Sequence, residues 1–94
     1  MIHLIISLTV NDKANVATVA ELLKEQGRRS REEPGCRRFE VYHSTSDDTR
    51  FYLCEHWESQ EAIDGHRKAY AYTNIYQPKV LPLVTREPHP SNLL

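Results

Sequence analysis

The chain has little of what usually announces a function. Its three glycines, Gly27, Gly35 and Gly65, stand apart, so there is no glycine-rich loop to cradle a nucleotide or flavin phosphate, and no cofactor is expected. Its two cysteines, Cys36 and Cys54, lack CxxC spacing and cannot form a framework of bridges. In a reducing compartment they read as small buried hydrophobes, with a redox pair as the alternative. The five histidines, His3, His43, His56, His66 and His89, are scattered without HxH or HxxxH spacing, which leaves no zinc pattern and predicts no bound metal. No serine-centred nucleophile motif occurs. No apolar run approaches the roughly 20 residues of a membrane span. The start, Met1-Ile2-His3-Leu4-Ile5-Ile6-Ser7, lacks the basic leader of a secretory signal, so a cytoplasmic protein with no membrane partner is expected. A net charge of -1 lacks the cationic excess that nucleic acid demands. Arg28, Arg29, Arg31, Arg37 and Arg38 cluster, but Glu25, Glu32, Glu33 and Glu40 are interleaved with them, as on a solvated helix end.

What is present is the composition of one globular domain over residues 1–94, with 39% hydrophobic and 27% charged residues. A chain of this size buries only about 60–65% of its unfolded surface and is marginal alone. Ile2, Leu4, Ile6, Leu8 and Val10 alternate with His3, Ile5, Ser7 and Thr9, the period of a strand. Asn11-Asp12 ends it and can cap a helix. That helix is expected from about Asp12 to Arg31, with Val16, Val19, Ala20 and Leu23 on its apolar face and Gly27 tolerated at a cost of about 1 kcal/mol. Pro34-Gly35 stops it.

Two strand-like runs then flank the polar turn Ser46-Asp47-Asp48-Thr49, a hairpin. Centred on that turn, Phe51 pairs with His43, Leu53 with Val41, Glu55 with Phe39 and Trp57 with Arg37. The other face pairs Tyr52 with Tyr42, Cys54 with Glu40 and His56 with Arg38. A slip of one residue would exchange the faces. Glu55, between Leu53 and Trp57, then sits on the apolar face. Ser59 is the expected N-cap of a helix in which Ala62, Ile63 and His66 share one side. Pro78 and Pro82 interrupt the apolar pattern of Ile75, Val80, Leu81 and Val84, which predicts only a short helix or turn. A last strand is expected around Leu83 to Glu87, followed by a tail, residues 88–94.

Strand, helix, hairpin, helix pair and strand make an α+β pattern, a small antiparallel sheet with helices on one face. Ile5, Tyr42, Tyr52 and Cys54 would lie on the face left bare. A second copy of the chain is the economical cover, so a homodimer is expected.

Glu33-Pro34-Gly35-Cys36, Arg38-Phe39-Glu40-Val41-Tyr42, the run from Arg50 to Ser59 (Arg-Phe-Tyr-Leu-Cys-Glu-His-Trp-Glu-Ser) and Ala62-Ile63-Asp64-Gly65-His66 together resemble the antibiotic biosynthesis monooxygenase domain family. The resemblance implies a ferredoxin-like fold assembled as a dimeric α+β barrel. It also implies one of several activities: cofactor-free oxygenation of quinols and polycyclic aromatics, haem degradation, or isomerisation of a phosphorylated sugar. The haem-degrading branch carries an asparagine on its first strand, where this chain has Ser7. The family's Pro-His-aromatic triplet after the helix is replaced by Ala69-Tyr70-Ala71-Tyr72.

Glu55, Trp57 and His66 form the candidate chemical grouping. A carboxylate desolvated beside an indole has its pKa raised, and a histidine within reach could share its proton. Cofactor-free oxygenation needs a base, a flat apolar slot and exclusion of water, since the aromatic substrate supplies the electrons to molecular oxygen. In that reading His66 is the base, Glu55 its orienter, Trp57 the platform and Tyr72 a polar gate, with Phe39, Phe51, Tyr70 and Tyr76 completing the substrate slot. The structural reading is that Glu55 only ties helix to sheet, as buried charges must be paired, and that the aromatics are core. The function expected is an oxidoreductase, a cofactor-independent monooxygenase of a small aromatic molecule. The alternatives are a non-catalytic dimeric binding module, or an isomerase or haem-degrading member of the same fold.

Overall fold

A computed structural model describes residues 1–94. Strand β1 (Ile2–Val10) buries Ile6, Leu8 and Val10 and leaves Ile5 on the opposite side. The Asp12 side chain then accepts the Ala14 N–H at 2.9 Å and caps a 3₁₀ turn, Lys13–Asn15. Helix α1 follows as Val16–Ser30, so the single helix expected from Asp12 is two pieces. The cap reaches two residues on rather than three, which tightens the first turn. Helix α1 buries Val19, Leu23, Gln26, Gly27 and Ser30. A Cβ at Gly27 would lie 3.3 Å from Val41 Cγ2, so glycine lets the helix close on the sheet.

Gly35 takes φ 79°, in the left-handed region that favours glycine. A Cβ there would collide with that of Ala62. Strands β2 (Cys36–His43) and β3 (Arg50–Trp57) form the hairpin. Its turn is held by Asp47, whose carboxylate accepts from the Thr49 N–H at 3.0 Å and the Thr49 hydroxyl at 2.7 Å. The register is the expected one from His43 opposite Phe51 to Arg38 opposite His56. Beyond that a bulge intervenes, and Trp57 faces Cys36 instead of Arg37. The extra residue is turned out to solvent, where Arg37 Nη2 lies 2.5 Å from Glu58 Oε1, while Trp57 stays inward.

Helix α2 (Gln60–His66) is capped by Ser59, whose hydroxyl accepts the Ala62 N–H at 3.2 Å. Ala71–Val80 then forms a π-helix containing Pro78, longer than the short turn expected. A π turn bonds five residues back, as the Leu81 N–H does to the Tyr76 carbonyl. The carbonyl that a proline ring would strike in an α-helix is thereby displaced. After a 3₁₀ turn, Leu81–Leu83, strand β4 runs Val84–Ser91, four residues past the expected end at Glu87. It lies at the sheet edge, where Pro88 and Pro90, two apart, turn their missing N–H toward solvent rather than toward β1.

The sheet order is β2-β3-β1-β4, antiparallel throughout, and the fold is α+β and ferredoxin-like. The core, including Leu8, Val19, Leu23, Phe39, Leu53, Trp57 and Val80, lies between sheet and helices. On the other face Ile5 and Tyr42 are 46% and 52% exposed. No helix is long and apolar enough to cross a membrane.

Candidate functional site

Glu55 is carried on the core face of β3 by strand alternation and is only 4% exposed. The indole Nε1–H of Trp57, two residues on and therefore on the same face, donates to Glu55 Oε1 at 2.9 Å. Burial pushes the Glu55 carboxyl above its usual range, against the pull of that hydrogen bond and of Arg86 and Arg67.

His66 ends α2 and enters the same space from above. Its ring centroid is 4.5 Å from that of Trp57, 5.6 Å from Tyr72 and 5.9 Å from Phe39. Its Nδ1 lies 2.6 Å from Oε1 of Glu33. Glu33 is delivered there by the turn that ends α1, in which its N–H donates to the Ser30 carbonyl and its own carbonyl accepts from Cys36. Burial, followed by the neighbouring Arg67 charge, lowers His66 to about 4. Burial, followed by the Glu55 charge, raises Glu33 to about 7. Both shifts favour the uncharged forms, so near neutrality the pair holds one proton between two acceptor atoms.

An inner cavity of about 20 Å³ is lined by Leu4, Ile6, Gln26, Glu55, Ile63, His66, Arg67, Tyr72, Tyr76 and Arg86. That is room for about one water. Gln26 is 1% exposed and its Oε1 has no hydrogen-bond partner. Arg86 Nε donates to the Tyr76 hydroxyl at 3.0 Å, and burial raises Tyr76 to about 12, so the phenol keeps its proton. On the far side of His66 an outer cleft of about 250 Å³ is lined by Glu33, Pro34, Glu61, Ala62, Gly65, His66 and Ala69. His66 is the only side chain common to both spaces. No group of three or more His, Cys, Asp or Glu side chains has metal-binding geometry.

The antibiotic biosynthesis monooxygenase profile matches residues 1–77. The chain belongs to that family. No curated protein sequence matches it significantly. Solved structures match over nearly the whole chain, β4 included. A conserved protein of unknown function from Bacteroides thetaiotaomicron is 23% identical, with 96% of this chain and 94% of that one covered at a TM-score of 0.87. An antibiotic biosynthesis monooxygenase homologue from Nitrosomonas europaea is 21% identical, with 98% of each chain covered at 0.86. A Mycobacterium tuberculosis protein is 25% identical, with 99% of this chain and 96% of that one covered at 0.81.

In this family member the fold brings Glu55, His66, Tyr72 and Tyr76 to the lining of the inner cavity, while Trp57 packs against Glu55 and His66 without lining it. The fold does not pair Glu55 with His66: Trp57 takes the first and Glu33 the second. Two expected slot residues lie elsewhere. Tyr70 is 54% exposed, its ring 4.4 Å from the Arg29 guanidinium. Phe51 stacks on His43 at 4.1 Å and lies outside the cavity lining. It starts β3, whereas Trp57 ends it, so the length of the strand separates them. Phe39 backs His66 and Trp57 without lining the cavity. Glu33, Gln26 and Arg86 were missed. Gln26 was detectable: it continues the Val19–Leu23 stripe at helical spacing, and a polar residue there calls for a partner. Glu33 sat among solvated charges and gave no local signal.

Proposed function

We propose that this family member is a cofactor-independent monooxygenase of a quinol-like or polycyclic aromatic substrate, with molecular oxygen as the second reactant, acting in the cytoplasm. One observation carries the reading: a histidine held by a carboxylate and packed on an indole shares the lining of a small inner cavity with a second buried carboxyl. His66, aided by Glu55, would remove a phenolic proton, and Trp57 would support the ring. Arg67 and Arg86 would stabilise the phenolate and the reduced-oxygen anion that follows. The electron-rich ring then reduces oxygen, a hydroperoxide forms at a ring carbon bearing hydrogen, and loss of water leaves a carbonyl. A hydroquinone plus O₂ gives a hydroxyquinone plus H₂O. A cavity of about 20 Å³ requires Tyr72 and the π-helix to move aside for substrate, and π-helices recur at functional sites.

Homodimerisation belongs to the same proposal, because the apolar and aromatic residues Ile5, Tyr42 and Tyr52 are exposed on a face that no element of the chain covers. A second reading, isomerisation of a phosphorylated sugar, draws on the two arginines that line the cavity. Oxygen uptake by metal-stripped protein separates the readings. Under the first, a hydroquinone panel accelerates uptake and His66→Ala lowers the rate by about 10²-fold or more, the scale of general-base loss. If no quinol exceeds the buffer rate while phosphorylated sugars are turned over, the monooxygenase reading fails.

A further inference from the structure

Two atoms that each carry a lone pair cannot rest 2.6 Å apart without a hydrogen between them, yet that is the separation of Glu33 Oε1 and His66 Nδ1. With the hydrogen of a protonated Glu33 carboxyl on Oε1, that O–H donates and Nδ1 accepts, so the single hydrogen of a neutral imidazole sits on Nε2. With the carboxyl ionised, Nδ1 must be the donor and Nε2 is left bare. Nε2 makes no hydrogen bond in the protein, and the His66 side chain lines the inner cavity as well as the outer cleft. We infer that Glu33 is a positioning residue that sets the tautomer of His66, turning Nε2 from a hydrogen-bond donor into an unprotonated acceptor when the Glu33 carboxyl ionises.

The placement of the two residues suits this role. The His66 and Glu33 side chains are 6% and 13% exposed, dry enough that the contact is not exchanged for water. His66 lines the inner cavity and the outer cleft, whereas Glu33 lines only the cleft. As the carboxyl ionises, the hydrogen between the two residues passes from Oε1 to Nδ1, and the one proton released to solvent is that of Nε2. The charged and titratable groups around the pair are Arg67 at the end of α2, Glu61 within α2, Glu55 on β3, Cys36 on β2 and Tyr72 on the π-helix. Arg31, at the end of α1, acts on Cys36, whose thiol burial pushes up to about 11, so it stays neutral. Because Glu33 is raised to about 7 and His66 lowered to about 4, the switch occurs near neutrality while the imidazole itself stays uncharged. A carboxylate that fixes the tautomer through one ring nitrogen determines what the other can do. The consequence for catalysis rests on the reading of His66 as base; the tautomer exchange does not.

Long-range proton–nitrogen NMR of the full chain, labelled with ¹⁵N-histidine, tests it from pH 5.5 to 8.5 without any substrate. In the wild type the His66 ring nitrogens should exchange character, Nε2 bearing hydrogen at the acid end and Nδ1 at the alkaline end, with a midpoint near 7. Glu33→Gln, which keeps the shape but cannot ionise, and Glu33→Ala should each hold one tautomer across the range. The inference is overturned if wild-type His66 keeps one tautomer throughout, if its ring is doubly protonated over most of the range, or if the exchange survives in either variant. Failure of the quinol assay would leave these spectra unchanged, so the two proposals fail separately.

Discussion

On its inward face β3 carries Phe51, Leu53, Glu55 and Trp57, all at 4% exposure or less, while its outward face carries Tyr52 at 38% together with Arg50, Cys54 and His56. Each face thus holds aromatic and ionisable side chains in alternation, and only the covering differs. Inward, helices close over the strand, so Glu55 takes the Trp57 N–H and His66 takes Glu33. Outward, His56 meets His3 edge-on at 4.3 Å. Its pKa is lowered by desolvation and then by His3 and Arg38, and no carboxylate pairs with it. Enclosure, rather than residue type, makes one face a candidate site and leaves the other an open surface.

The contrast can be broken most forcefully at Leu53. Leu53→Ala should cost about 2–5 kcal/mol in chemical denaturation, since it opens a void among fully buried neighbours. Gly35→Ala should cost about 3 kcal/mol, combining a left-handed backbone that alanine resists with overlap against Ala62. In the same spectra as above it should also disturb His66, because that turn delivers Glu33. Trp57→Phe removes the donor to Glu55, and leaving that carboxylate unpaired should cost about 1–3 kcal/mol at pH 8. The sign of its pH dependence follows from the raised Glu55 pKa. The fold favours the protonated carboxyl, so its contribution is full below the ordinary value of 4.5 and is lost as pH rises through the higher folded value. The penalty in Trp57→Phe should therefore shrink on acidification, as thermal unfolding at several pH values would show. Tyr52→Ala, on the uncovered face, should change monomer stability by no more than about 0.5 kcal/mol. A loss comparable to that of Leu53→Ala in dilute, monomeric protein would erase the distinction between the faces.

Much of the fold could be read in the chain. Alternation in Ile2 to Val10 and in Arg50 to Trp57 set both strands and their inward faces, and the polar turn with its Asp47 fixed the hairpin register. What escaped was structure that depends on neighbours. The bulge at Arg37 answers to the packing of Trp57, and the π-helix accommodates Pro78 by widening a turn. β4 tolerates Pro88 and Pro90 because it lies at an edge, a position that local sequence does not encode.

The candidate site divides the same way. Sequence alone determined that Glu55 and Trp57 share a face, because a period of two needs only the strand, and that Ser59 starts a helix bringing Ile63 and His66 to one side. Only the tertiary structure decided the pairing. The partner of His66 is 33 residues away in sequence, and it is chosen by where a left-handed glycine lets the turn after α1 lie close against Ala62 of α2. A contact between elements depends on their packing geometry and on the burial that follows, and neither is written in the spacing of residues along one of them.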